Sequence, residues 1–126
     1  MKKKRKAREI RIPLMSSTLD AIMSELHWGL MAAELNSLNT LNFDRIAAAM
    51  NLCSVALSNA GVCDPVIQGA VRAMQEVEAV YSKSGVWVMS ELRRGTVTGG
   101  IMRIEELLPT LTVNDLVRAQ LILKAA

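Results

Sequence analysis

The chain has 126 residues, 51% of them apolar, a formal net charge of +3 and a mean hydropathy of +0.24. That length suits one domain able to bury a core, and no apolar run approaches the ~18 residues of a membrane span. Aromatic residues make up only 3% against eight methionines, so the core must be aliphatic and soft, a composition that favours helices over a β-sandwich.

The charge is unevenly placed. Residues 1–12, "MKKKRKAREIRI", hold Lys2, Lys3, Lys4, Arg5, Lys6, Arg8 and Arg11 against Glu9 alone, which is +6 and leaves −3 for the remainder. No apolar stretch follows the basic start, so it does not read as a secretory signal, and a cytoplasmic protein with free, buried thiols at Cys53 and Cys63 is expected. Pro13 blocks a helix and biases Ile12 towards an extended backbone. Residues 1–15 therefore read as a flexible basic arm and residues 16–126 as a single helical domain. Such an arm can neutralise the phosphates of DNA or RNA without reading sequence, dock on an acidic protein surface, or serve only as a solubilising tail. It has no aromatic residue on which a base could stack.

A first helix is expected from Ser16 or Ser17, with Ser17 as N-cap and Asp20 completing a capping box. Leu19, Ile22, Met23, Leu26, Leu30 and Ala33 give it an apolar stripe. "NSLNT" (36–40) reads as a loop. The next stretch, "FDRIAAAMNLCSVALSNAG" from Phe43 to Gly61, has the apolar pattern of a helix-turn-helix at Ile46, Ala47, Met50, Leu52 and Leu57, with Asn51 in the turn position. A recognition helix needs base-reading and phosphate-binding side chains, yet 53–60 offers Asn59 and two serines, and 43–61 holds only Arg45 as a cation. Ile46, Met50, Cys53 and Leu57 share one face at helical spacing. The periodicity thus favours one continuous helix from about Leu41 to Ala60, stopped by Gly61.

Asp64 and Pro65 start a third helix as N-cap and first residue. Its stripe is Ile67, Ala70, Val71, Met74, Val77 and Tyr81. It ends at Gly85 or continues through "VWVMSELRR"; Val88 and Leu92 on the same face favour continuation. "GTVTGG" (95–100) then reads as a loop, Ile101 to Leu108 as a short helix ended by Pro109, and Thr112 with Asp115 as the capping box of a last helix. The expected fold is all-α: a compact bundle of three long helices plus a short C-terminal helical hairpin, preceded by the basic arm.

Sites of chemistry are few. His27 lies beside Trp28 without a close-spaced ligand partner and reads as a packing or surface residue. The glycine-rich "GTVTGG" lacks the lysine of a phosphate loop. Glu105 and Glu106 are adjacent on a helix and so diverge. No nucleophile with its base stands out, so the chain reads as a non-enzyme with no cofactor and no metal. A continuing third helix would leave Trp87 and Met89 as an edge suited to a partner or a homodimer; alternatively both cover the C-terminal hairpin.

The "RIPLMS" of Arg11 to Ser16, the Leu26–His27 pair and the "VND" of Val113 to Asp115 together resemble a group of short helical proteins of proteobacteria and their prophages or mobile elements. Some of that group are labelled Fis-type transcription regulators. The resemblance spans most of the chain; the group has no settled function, and the resemblance implies a mobile-element setting with no functional residues carried over. Two functions are compatible with these features. One is a small regulatory protein associated with nucleic acid through Lys2, Lys3, Lys4, Arg5, Lys6, Arg8 and Arg11. The alternative is a phage or mobile-element adaptor or inhibitor that binds a host protein complex.

Overall fold

Residues 11–125 are described by a computed structural model. They form five α-helices: α1 (Ser16–Glu34), α2 (Thr40–Asn59), α3 (Pro65–Ser84), α4 (Glu91–Leu107) and α5 (Val113–Ala125), with a single 3-10 turn at Leu108–Thr110 between the last two. There is no strand among these residues; Pro13 and Thr112 make one isolated antiparallel bridge. The fold is all-α, as composition and periodicity require. Its arrangement differs from three long helices and a hairpin, because α4 is a fourth long helix.

The central element is α2, which packs against each of the other four helices. From Phe43 to Asn59 the stretch is one unbroken helix with no turn at Asn51. Phe43, Ile46, Ala49, Met50, Cys53, Ala56 and Leu57 are buried, an arc of about 140° at 100° per residue. A helix that touches four neighbours needs this wide apolar face, and its width imitates the pattern of a helix-turn-helix. Gly29 lets α1 lie close on α2: a Cβ there would sit 2.5 Å from Cβ of Ile46.

Local signals set several boundaries. Asn39 accepts from Asn42 N at 2.8 Å to start α2. Asp64 accepts from Val66 N and Ile67 N at 3.0 and 3.2 Å, with Pro65 in the first turn of α3. Thr112 and Asp115 cap reciprocally: Thr112 N donates to Asp115 Oδ2 at 2.8 Å, and Asp115 N donates to Thr112 Oγ1 at 3.3 Å. Gly61 (φ +89°) follows the end of α2 in a left-handed conformation that glycine adopts without cost.

Two expectations about helix ends fail. Ser17 does not cap α1; the N-cap is Met15, whose carbonyl accepts from Thr18 N and Leu19 N at 3.0 and 3.1 Å. The third helix does not continue past Gly85. That residue is left-handed (φ +71°) and donates its N–H to Tyr81 O, so the chain leaves the helix there. Ser90 then caps α4, accepting from Arg93 N at 3.2 Å.

The largest correction concerns "GTVTGG", which is helical, not a loop. It lies inside α4, and α3 with α4 is the most extensive helix pair. A Cβ on Gly100 would collide with Ala70 Cβ, and one on Gly99 would touch Val66 at 3.7 Å. These glycines bring two helices together instead of breaking one.

Every buried side chain of the described core is apolar, and none is polar or charged. Its members run from Leu14 to Ala119 in one connected cluster. The groups available for chemistry or recognition therefore sit on the surface.

Candidate nucleic-acid interface

Of the seven arm cations, Arg11 falls within the described residues and is exposed. Lys2, Lys3, Lys4, Arg5, Lys6 and Arg8 lie outside them. The chain just after Arg11 is fixed. Ile12 O accepts from Val113 N at 2.9 Å, Pro13 bridges Thr112, and Leu14 is buried in the core. Burial of one leucine side chain stabilises by about 1.5–3 kcal/mol, so residues 12–14 belong to the folded body and the boundary at 15/16 lies too late in the chain. This clamp sets where the arm meets the body, at the start of α5. Arg11 and Arg118 line one cleft of about 300 Å³ there, with Asn59, Asn114 and Asp115.

The outer face of α2 is a poor match for phosphates. Arg45, the cation of the helix-turn-helix-like stretch, is held by Glu25 of α1 through two hydrogen bonds of 2.8 and 2.6 Å. The Arg45 hydrogen bond draws the Glu25 carboxyl below its usual range. Asn51 and Ser58 are exposed and Ser54 is half-buried.

Trp87 and Met89 do not form an exposed edge. The break at Gly85 places them in the extended link between α3 and α4, where Met89 is buried. Trp87 stacks on Tyr81 (3.8 Å between centroids, 5° between planes) and on Phe43 (4.4 Å, 23°), and its Nε1 donates to Thr40 Oγ1 at 3.0 Å. Three of the four aromatic residues of the chain are therefore used in one structural stack. His27 is a surface residue, 3.8 Å from Glu105 of α4. The two cysteines differ: Cys63 is exposed, whereas Cys53 is buried and burial pushes its thiol up to about 12.

The fourth aromatic residue, Trp28, is not part of that stack. Trp28 is 70% exposed on the outer face of α1, with Met31 (49%) and Leu35 (69%) on the following turns. The signal is present in the sequence: a second apolar series, 28 and 31 in α1 and 35 just past its end, lies on the side opposite Leu26, Leu30 and Ala33.

No helix among the described residues is long and apolar enough to cross a membrane, and no group of three His, Cys, Asp or Glu there could hold a metal ion. Comparison of the chain with protein-family models, with curated proteins and with solved structures finds no match. Function must be argued from the residues themselves.

Proposed function

We propose that this is a small non-enzymatic regulatory protein that associates with nucleic acid through its basic N-terminal segment. The observation that carries the reading is the run of seven cations in residues 2–11, joined through the Ile12–Leu14 clamp to a body whose Arg11 and Arg118 line the same cleft. Cations at this density displace condensed counterions from a phosphate backbone, a favourable entropy that does not depend on base sequence.

The test is binding of duplex DNA and of single-stranded RNA to the full chain, measured by fluorescence anisotropy over a salt series. Seven phosphate contacts predict a loss of about 10³–10⁴ in affinity between roughly 50 and 200 mM salt. Removing residues 2–10 deletes six of the seven cations and spares the clamp, so binding should vanish with the helical circular dichroism unchanged. Salt-insensitive binding, or full binding by the truncated chain, would overturn the reading. A discrete host protein retained after nuclease treatment, with no affinity for nucleic acid, would favour the adaptor alternative.

A further inference from the structure

The outer face of α1 has a spacing that its inner face does not explain. Ser17, Ala21, Ser24, Trp28, Met31 and Leu35 are all exposed, and they recur at intervals of four, three, four, three and four. At 100° per residue they fall within an arc of about 80°. This is the spacing of a two-helix coiled contact, and nothing among the described residues covers it. The N-terminal half of the seam is small (Ser, Ala, Ser) and the C-terminal half is large (Trp, Met, Leu).

We infer that this seam is a homodimer interface, in which α1 of one chain packs antiparallel against α1 of a second copy about a two-fold axis level with residue 26. In that register Ser17 faces Leu35 of the second copy, Ala21 faces Met31, and Ser24 faces Trp28. Each large side chain meets a small one, three times over on each side of the axis, so the surface is complementary to itself. A parallel pairing would set Trp28 on Trp28 and leave the three small residues opposite one another across a gap.

Charge placement permits the contact at its centre and weakens it towards its ends. The polar side chains level with the axis have neighbours in their own chain: Glu25 pairs with Arg45 at 2.6 Å on one rim, and His27 lies 3.8 Å from Glu105 on the other. Asp20 approaches Glu34 of the second copy on the His27 rim, so added salt, which screens like charges, should strengthen the dimer. That is opposite in sign to the salt effect on phosphate binding, and the inference does not rest on the nucleic-acid reading.

The area is adequate for a modest affinity. A 19-residue helix is about 28 Å long, and a single helix pair of that length makes a small interface. Such a contact falls below the ~800 Å² per partner of a standard interface, so a reversible, micromolar dimer is expected. The basic N-terminal segment is a poor rival occupant, since residues 1–10 contain only Met1, Ala7 and Ile10 as apolar residues.

The decisive experiment is sedimentation equilibrium of the full chain over a wide concentration range, with a charge-swap pair. Wild type should dimerise reversibly, and Trp28→Ser or Met31→Glu should weaken the dimer at least tenfold. These positions are exposed, so melting of the isolated chain should not change and misfolding is separated from lost association. Adding Ala21→Lys to Met31→Glu should recover most of the affinity, because the antiparallel register sets position 21 against position 31 of the second copy. A chain that stays monomeric at hundreds of micromolar, a dimer indifferent to Trp28 and Met31, or a double variant weaker than Met31→Glu alone would each overturn the inference.

Discussion

Asp64 shows how one side chain can fix both a helix start and a tertiary contact. Its Oδ1 accepts from Val66 N and Ile67 N, and its Oδ2 accepts from Arg103 Nε of α4 at 2.7 Å. Arg103 also reaches Glu106 at 2.7 Å. The Arg103 hydrogen bond, followed by the two backbone N–H groups, holds the Asp64 carboxyl below its ordinary value. A carboxyl lowered in the native state contributes stability that is fully present above its unfolded value, near pH 4, and is lost as pH falls through the native value. Glu25 is lowered in the same direction by Arg45. Asp64→Asn keeps a good N-cap and removes the charge, so melting followed by circular dichroism from pH 7 to pH 2 should show a shallower acid limb than wild type. Asp64→Ala, which loses the cap as well, should be less stable than Asp64→Asn at every pH. An acid limb for Asp64→Asn as steep as that of wild type would show that the pair with Arg103 does not couple protonation to folding.

At the scale of elements, what was legible in the sequence was local. Asp64–Pro65, Thr112 with Asp115, and Gly61 mark helix ends through groups within three or four residues of one another, and each mark held. The interior face of α2 was legible because its apolar residues recur at helical spacing over nearly twenty residues. "GTVTGG" was not legible, since its meaning depends on Ala70 and Val66, thirty residues away. The outer face of α1 is hard to read for a related reason: one apolar stripe suffices to define the helix, and the second does not change that assignment. The two roles of glycine give a paired prediction in which one substitution has opposite signs. Gly95 lies in α4 with no atom within 4 Å of an added Cβ, so Gly95→Ala should stabilise by about 0.5–1 kcal/mol through helix propensity and reduced unfolded-state entropy. Gly100→Ala gains the same propensity but drives its Cβ into Ala70, and overpacking of this kind costs about 1–3 kcal/mol. Urea unfolding of the two variants checks the contrast, and stabilisation by Gly100→Ala would show that α3 and α4 can move apart freely.

For the molecule as a whole, the two proposals meet in a single geometric consequence. An antiparallel α1 pair puts the two Ser16 ends about 30 Å apart along the helix axes, at 1.5 Å per residue. Each basic segment joins its own body just ahead of that end, through the clamp on α5. A dimer would therefore present two cationic segments at separated points, and the spacing is close to the ~34 Å of one turn of duplex DNA. On the nucleic-acid reading each segment would neutralise its own phosphates, so the counterions released should add. With seven cations per chain and a slope of about −0.9 per phosphate, log affinity against log salt should approach −6 for one segment and −12 for two. Met31→Glu leaves every cation of the basic segment in place, so this variant should keep the single-segment slope while wild type, held above its dimer dissociation constant, shows roughly twice that value on a long duplex. Binding should in turn promote dimerisation, because affinity gained by the pair is returned to the pair by linkage. Equal slopes for the two proteins would mean that the segments bind one at a time, whatever the oligomeric state of the body. A halved slope requires both the cationic segment and the α1 seam, and neither proposal alone accounts for it.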